Sequence, residues 1–342
     1  MDRFFEEHEG VGNIQRMTYL SDLERFLARE QADSAAARDR FMADYPADLE
    51  GLRAKYRDML GWPLSTWRDD LPPVSVHSER LGEDAQAEVF RLTLEVLPGV
   101  RFGGVLFRLH GGARRPLVIG QHGGKGTPEI ISGMYDGGHT WNYNGMVRRV
   151  LARGANVFAP QLLLWDQEKY HIHYDRIAMD RALKQLGGSI AALEIYAIMR
   201  CIDALLRQPW ADPARVGMVG LSYGGFYAMY TAAADPRIRS CLASGFFSDR
   251  LVYNWPDWVW QDAAHTFLDA EVGALVAART LLLELGTRDE IFDTEPSRRE
   301  LRRLQGFFER AGCPERLAME FFDGVHEFNR SDVLMDHFMD AL

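Results

Sequence analysis

Cysteine is scarce: Cys201, Cys241 and Cys313 are the three in 342 residues, and they lie far apart. They form neither a disulfide framework nor a paired CxxC metal knuckle. Basic charge is short as well, with 39 Lys plus Arg against 49 Asp plus Glu and a net charge of −10. An acidic chain repels phosphate backbones, and no Lys/Arg-rich run offsets this, which argues against nucleic acid as a partner. Long apolar runs are missing too. The best, residues 272–286, is broken by Arg279 and Glu284, short of the roughly 18 uninterrupted apolar residues that suggest a membrane span. The opening MDRFFEEHEG has no basic start or apolar centre of a secretory leader. The expectation is a cytoplasmic protein without a membrane partner. What is present is the balance of an ordinary globular chain, 47% hydrophobic and 26% charged.

At roughly 150 residues per domain, this length suggests two units or one large unit with additions. Residues 1–70 read as a polar helical extension, and residues 71–342 as an α/β domain. In the extension, Ser21 and Glu24 have capping-box spacing, and Met17, Leu20, Leu23 and Leu27 recur every three to four residues. A second helix is expected from near Asp48 to Leu60, stopped by Gly61 and Pro63. These helices form a flap, a lid or a surface through which two copies could pair.

From Val74 the pattern turns to strands, at 74–81, 87–97 and 102–109, an antiparallel lead-in. The compact apolar run at 116–121 marks a strand buried on both faces. Helices are then expected at 143–153, 189–207, 223–234, 296–311 and 331–341, between strands at 155–160, 215–220, 238–244, 280–286 and 317–322. Such alternation means a mostly parallel, doubly wound sheet covered on both sides. Two insertions, about 162–188 and 246–270, leave the carboxyl ends of strands, where open α/β sheets hold their ligands. The second carries Trp255, Trp258 and Trp260, which either line a substrate site or pack the base of a cap. In the first, His171 and His173 two apart could share a zinc ion, with Asp175 nearby, but no third ligand follows. No metal site is expected.

Residues 220–224 read Gly-Leu-Ser-Tyr-Gly, a GxSxG between an apolar strand and a small-residue helix. In that context the serine sits on a strained turn, its Oγ raised above the sheet, and the flanking glycines let strand and helix approach. Ser222 is the candidate nucleophile. A serine hydroxyl needs a positioned base, and His326, in a glycine-containing loop after the last strand, suits better than His265 or His337. The acid that orients the imidazole is expected at Asp289, three residues past Gly286, with Glu290, Asp293 and Asp249 as alternatives. Two N–H donors for a tetrahedral oxyanion are expected from Tyr223 and, in the loop after 116–121, from Gly124, with Lys125 next. That loop is not a phosphate loop: Walker A needs Gly where Ile119 stands and Ser or Thr where Gly126 stands. His122 is expected to support the loop by hydrogen bonding and not to act as a second base.

The stretch 186–235 resembles the α/β-hydrolase superfamily, in its dienelactone hydrolase, acetyl xylan esterase and prolyl oligopeptidase-like branch. The features that carry the resemblance are Gly187-Gly188-Ser189 before a long helix, Asp212-Pro213 with Arg215-Val216, and the Ser222-Tyr223-Gly224-Gly225 elbow. The His122-Gly123-Gly124 loop, Asp289 and His326 extend it over about 110–342. It implies a cofactor-free serine hydrolase of esters or amides, with Ser222 as nucleophile, His326 as base, Asp289 as acid, and Tyr223 and Gly124 in the oxyanion hole. One departure is Gly124, where acetyl xylan esterases usually have an aromatic residue. The expected substrate is a small carboxylic ester. An oligopeptidase or aminoacyl-peptidase is the alternative, and a non-catalytic binding protein on the same scaffold a third reading.

Overall fold

The structure, a computed structural model, describes residues 11–135, 141–165 and 172–342. Nine strands form one sheet in the order β1-β2-β3-β5-β4-β6-β7-β8-β9. The first three, β1 (Val76–Glu83), β2 (Ala87–Leu97) and β3 (Val100–Leu109), form an antiparallel meander. Its alternating burial along β2 marks one covered and one less covered face. Then come β4 (Arg115–Gln121), β5 (Asn156–Pro160), β6 (Ala211–Leu221), β7 (Ile238–Ser244), β8 (Thr280–Gly286) and β9 (Leu317–Phe322). Apart from the β3–β5 seam, every pairing among these six is parallel. β5 and β8 are buried along their whole length and β7 at every residue but Arg239, as strands covered on both faces are. The doubly wound expectation holds, and most elements match within a few residues.

Helices cover both faces: α1 (Val11–Phe41), α2 (Leu49–Leu60), α3 (Pro128–Ile131), α4 (Met146–Ala152), α5 (Arg176–Gln185), α6 (Ile190–Leu206), α7 (Tyr223–Ala234), α8 (Asp269–Ala274), α9 (Thr294–Arg310) and α10 (Val333–Asp340). Asp48 caps α2 by accepting from Gly51 N–H at 2.9 Å, and Ser189 caps α6 by accepting from Ala192 N–H at 3.0 Å. One expectation is corrected. Ser21 and Glu24 start no helix, because α1 runs without a break from Val11 to Phe41. Spacing alone does not make a cap when the preceding residues also favour helix.

The face of α1 carrying Leu20, Leu23 and Leu27 is exposed, as is Met17. About three turns past Leu27, α1 docks: Arg38 is buried and donates to Glu271 at 3.2 Å and to the Ala264 carbonyl at 2.8 Å. α2 is more deeply seated. Tyr56 is fully buried and donates to the Tyr230 carbonyl on α7 at 3.0 Å. Met42, Tyr45, Leu52, Tyr56 and Leu60 belong to the same apolar core as α6 and α7.

Chain order places the site. From β4 the path goes outward to β5, then crosses back to β6 and continues to β7, β8 and β9. The connections after β4 and β6 therefore leave in opposite directions, and a crevice opens at their carboxyl ends. Residues 122–127 and Ser222 lie there.

Candidate active site

Ser222 follows β6 and precedes α7 with φ 62° and ψ −125°. This left-handed backbone is disfavoured for any residue with a Cβ and holds only where its surroundings enforce it. The neighbours are explained by space. A Cβ on Gly220 would lie 2.2 Å from the Gly224 carbonyl oxygen, and one on Gly224 would lie 2.2 Å from that of Gln121. Gly224→Ala should destabilise the fold by about 3 kcal/mol, the upper end of typical overpacking costs, read as a lower denaturation midpoint. Wild-type stability would mean the turn is not under this constraint.

The loop after β4 is pressed between the elbow and two aromatic side chains. A Cβ on Gly123 would meet Ser222 Cβ at 3.1 Å, one on Gly124 the Trp165 ring at 2.7 Å, and one on Gly126 the Tyr143 hydroxyl at 2.3 Å. Gly123 N–H donates to Tyr143 Oη at 2.8 Å. The backbone N–H groups of Gly124 and Tyr223 have no acceptor among the described residues. Tyr223 opens a helix, so its N–H is one of the donors a helix start leaves unpaired.

His122 is buried, and Nε2 accepts from Leu162 N–H at 2.9 Å. A backbone amide can only donate, so the ring proton sits on Nδ1 and bonds the Gly123 carbonyl at 2.9 Å. Burial lowers its pKa to about 4. The ring is a neutral strut, as expected.

At the other side, β8 ends in Gly286, where a Cβ would strike the Val325 carbonyl at 2.3 Å. That close approach, with Thr287 N–H on Phe322 O and Arg288 N–H on Gly324 O at 2.8 Å each, brings the loops after β8 and β9 together. Asp289, its side chain wholly buried, accepts from His326 Nδ1 at 2.8 Å through Oδ2. Its Oδ1 accepts from Ile291 N–H at 2.8 Å and Phe292 N–H at 3.0 Å. The imidazole is thus held with its proton on Nδ1, leaving Nε2 able to accept one.

The three alternative acids lie elsewhere. Glu290 accepts the His326 backbone N–H at 3.1 Å, Asp293 meets the Tyr253 hydroxyl at 3.3 Å, and Asp249 pairs with Arg299 at 3.4 Å. Ser222 and His326 line one cavity of about 170 Å³, with Gly123, Gly124, Lys125, Asn142, Tyr143, Trp165, Leu221 and Ile291. No hydrogen bond joins Ser222 Oγ to the imidazole among the described residues. Such bonds are often long before substrate binds.

The tryptophans of the second insertion do not line this cavity. Trp258 and Trp260 are buried, stacked on Phe226 at ring-centroid distances of 4.8 and 6.2 Å, and Trp255 stacks on Tyr223 at 5.5 Å. They pack the first turns of α7, the bland alternative for an aromatic cluster at this point. Trp165, not singled out from sequence, takes the lining position. Its signal was present: a tryptophan a few residues past a strand's carboxyl end. His171 lies outside the described residues, and Asp175 caps α5 by accepting from Ala178 N–H at 2.8 Å. The described residues hold no cluster of three metal-ligating side chains.

Sequence reading also passed over Glu284. It is buried in β8 and accepts the Asn329 N–H at 2.8 Å, tying the His326 loop to the sheet. Burial raises its carboxyl from 4.5 to about 7. Between those values the folded chain holds a proton that the unfolded chain has lost, so stability falls as pH rises through that window. Glu300, raised to about 8 by burial and by neighbouring Glu271, adds a share of the same sign. Glu284→Gln should remove its own share, on the order of 3 kcal/mol, measured as a smaller loss of stability between pH 5 and pH 8. An unchanged loss would rule Glu284 out as a source.

A family model described as the prolyl oligopeptidase family matches residues 190–268, which include α6, the elbow and part of the second insertion. A Bacillus subtilis (strain 168) protein assigned as a hydrolase, YtaP, is 28% identical over 118 residues, 32% of this chain and 39% of that protein. The chain thus matches well under half the length of that curated relative. Among solved structures, a Bacteroides fragilis protein assigned as an acetyl xylan esterase superposes with a TM-score of 0.64 at 15% identity, over 80% of this chain and 74% of that one. A glucuronoyl esterase from Solibacter usitatus superposes with a TM-score of 0.61 at 13% identity, over 86% and 91%. No described helix is long and apolar enough to cross a membrane. Sheet order, the elbow after β6 and these likenesses agree: the chain has the α/β-hydrolase fold.

Proposed function

We propose that this chain hydrolyses carboxylic esters through an acyl-enzyme, with Ser222 as nucleophile, His326 as general base and Asp289 as the acid that orients it. The observation that carries the reading is the 2.8 Å bond from His326 Nδ1 to a buried Asp289, on a ring that lines the same cavity as Ser222 on its strained turn. His326 Nε2 takes the Oγ proton as Oγ bonds the carbonyl carbon, and the carbonyl electron pair moves onto oxygen. The N–H groups of Tyr223 and Gly124 stabilise that oxyanion. As the intermediate collapses, the bond to the alcohol oxygen breaks and the imidazolium protonates the leaving alcohol. Water then repeats the steps against the acyl-enzyme, releasing the acid and returning the proton to Ser222.

Esters are favoured over peptides because the two solved structures described above carry esterase names. The prolyl oligopeptidase match over 190–268 favours a second reading, an aminoacyl-peptidase. Two measurements test the proposal. A fluorophosphonate probe should label Ser222, identified by peptide mass, and p-nitrophenyl acetate should be turned over far faster than aminoacyl anilides. No labelling would end the serine-hydrolase reading, and faster anilide cleavage would reverse the substrate order.

A further inference from the structure

Behind the site lies a wholly buried polar cluster that the proposed chemistry does not use. Arg176, the first residue of α5, donates through Nε to Asp257 at 2.7 Å and through Nη1 to Glu194 at 3.0 Å and to the Leu163 carbonyl. Its Nη2 donates to Tyr227 Oη at 2.7 Å, and the Tyr227 hydroxyl in turn donates to Glu194. One guanidinium thus meets two carboxylates, a carbonyl and a phenol, all of these side chains buried. A planar, multi-donor cation suits such a set, since each N–H has a fixed direction.

The cluster reaches the site by two routes. The Tyr223 hydroxyl donates to Asp257, 3.2 Å from either carboxylate oxygen, and Tyr227 lies one turn further along the same face of α7. The start of α7, with its unpaired N–H at Tyr223, is therefore anchored through Asp257 to Arg176. The second route runs along residues 161–165. Arg176 holds the Leu163 carbonyl while Glu194 accepts the Leu163 N–H at 3.0 Å. Leu162 N–H then holds His122, and His122 holds the Gly123 carbonyl. The Gly123 carbonyl and the Gly124 N–H belong to one planar trans peptide, so fixing the carbonyl aims the N–H in the opposite direction. Trp165 N–H, bonded to the Gly124 carbonyl at 3.1 Å, braces the next peptide.

We propose that Arg176 is a positioning residue that aims both oxyanion donors, Tyr223 N–H through Asp257 and Gly124 N–H through the 161–165 segment and His122. This rests on the serine-hydrolase reading above. An oxyanion exists only after attack, so misaiming its donors lowers kcat while leaving KM nearly unchanged. A residue that merely holds the fold together changes stability and leaves that split alone.

Tyr223→Phe removes one hydroxyl and no charge, and so cuts the first route alone. Arg176→Lys keeps the charge but loses the fork, and so weakens both. On p-nitrophenyl acetate, Tyr223→Phe should lower kcat by about 3- to 10-fold and Arg176→Lys by about 10- to 100-fold, at or below the ~10² to 10³ for deleting a donor outright. KM should stay within about twofold. Affinity for an arylboronic acid, whose serine adduct is a tetrahedral anion, should fall by the same factor as kcat/KM. The double variant should lose less than the product of the single losses, because both act through Asp257. If Arg176→Lys does not fold, Tyr223→Phe decides alone. A wild-type chain that hydrolyses the ester and labels at Ser222, with folded variants keeping kcat and boronate affinity within twofold, overturns this inference only. A wild-type chain that does not label overturns the reading beneath it.

Discussion

Ser222→Ala is expected to lower turnover of p-nitrophenyl acetate by about 10⁴- to 10⁶-fold, the loss typical when a serine nucleophile is removed. The remaining activity would come from the oxyanion donors and binding alone. Stability should move by no more than about 0.5 kcal/mol. Ser222 Oγ supports no hydrogen bond among the described residues, and alanine carries the same Cβ at the same φ of 62°. The elbow keeps its strain and its shape. Paired measurements of kcat and denaturation midpoint therefore separate chemistry from folding. Activity within tenfold of wild type, in a folded variant, would sink the nucleophile assignment.

Asp289→Asn should cost about 10⁴-fold in kcat, as expected when a triad acid becomes an amide and the imidazole takes the wrong tautomer. The local hydrogen bonds dictate why. Oδ1 of Asp289 faces two N–H donors, from Ile291 and Phe292. An amide can place only its oxygen there, so its NH₂ must occupy the position of Oδ2, facing His326 Nδ1. Nδ1 is then forced to accept, the ring proton moves to Nε2, and the base can no longer take the serine proton. Asp249→Asn and Asp293→Asn, which touch no imidazole atom, should stay within about threefold of wild type, as surface changes away from such features do. A small effect of Asp289→Asn together with a large effect of either of these would move the acid to another strand.

Both predictions concern residues that could be picked out before any coordinates, and the reason is local chemistry. The glycines at 220 and 224 are demanded by a strand and helix in near contact, and such a demand is visible in a five-residue window. The same holds for Asp48 before α2 and Ser189 before α6, each a side-chain oxygen placed to accept from the third residue on. Local chemistry also misled. Ser21 and Glu24 have the right spacing for a cap, yet the helix-tolerant residues of 11–20 before them and 25–41 after them let α1 pass through. The three tryptophans at 255, 258 and 260 have a composition that suits a sugar ring and a core equally well, and only their stacking on Phe226 and Tyr223 separates the two.

Arg176, Glu194 and Asp257 carried no signal at all. They lie 18 and 63 residues apart in the chain, and as single letters each reads as an ordinary surface charge. Burial together makes them a cluster, because a charge removed from water must find its partners inside the protein. The sequence by itself determined the strands, most of the helices, the strained serine turn and the order of serine, acid and histidine, all set by interactions within a few residues. Only the tertiary structure decided that β8 and β9 end close enough to join Asp289 to His326, that Trp165 faces the cavity, and that one buried guanidinium braces two loops. Those outcomes depend on strand order and side-chain packing between distant segments, which no short window of sequence contains.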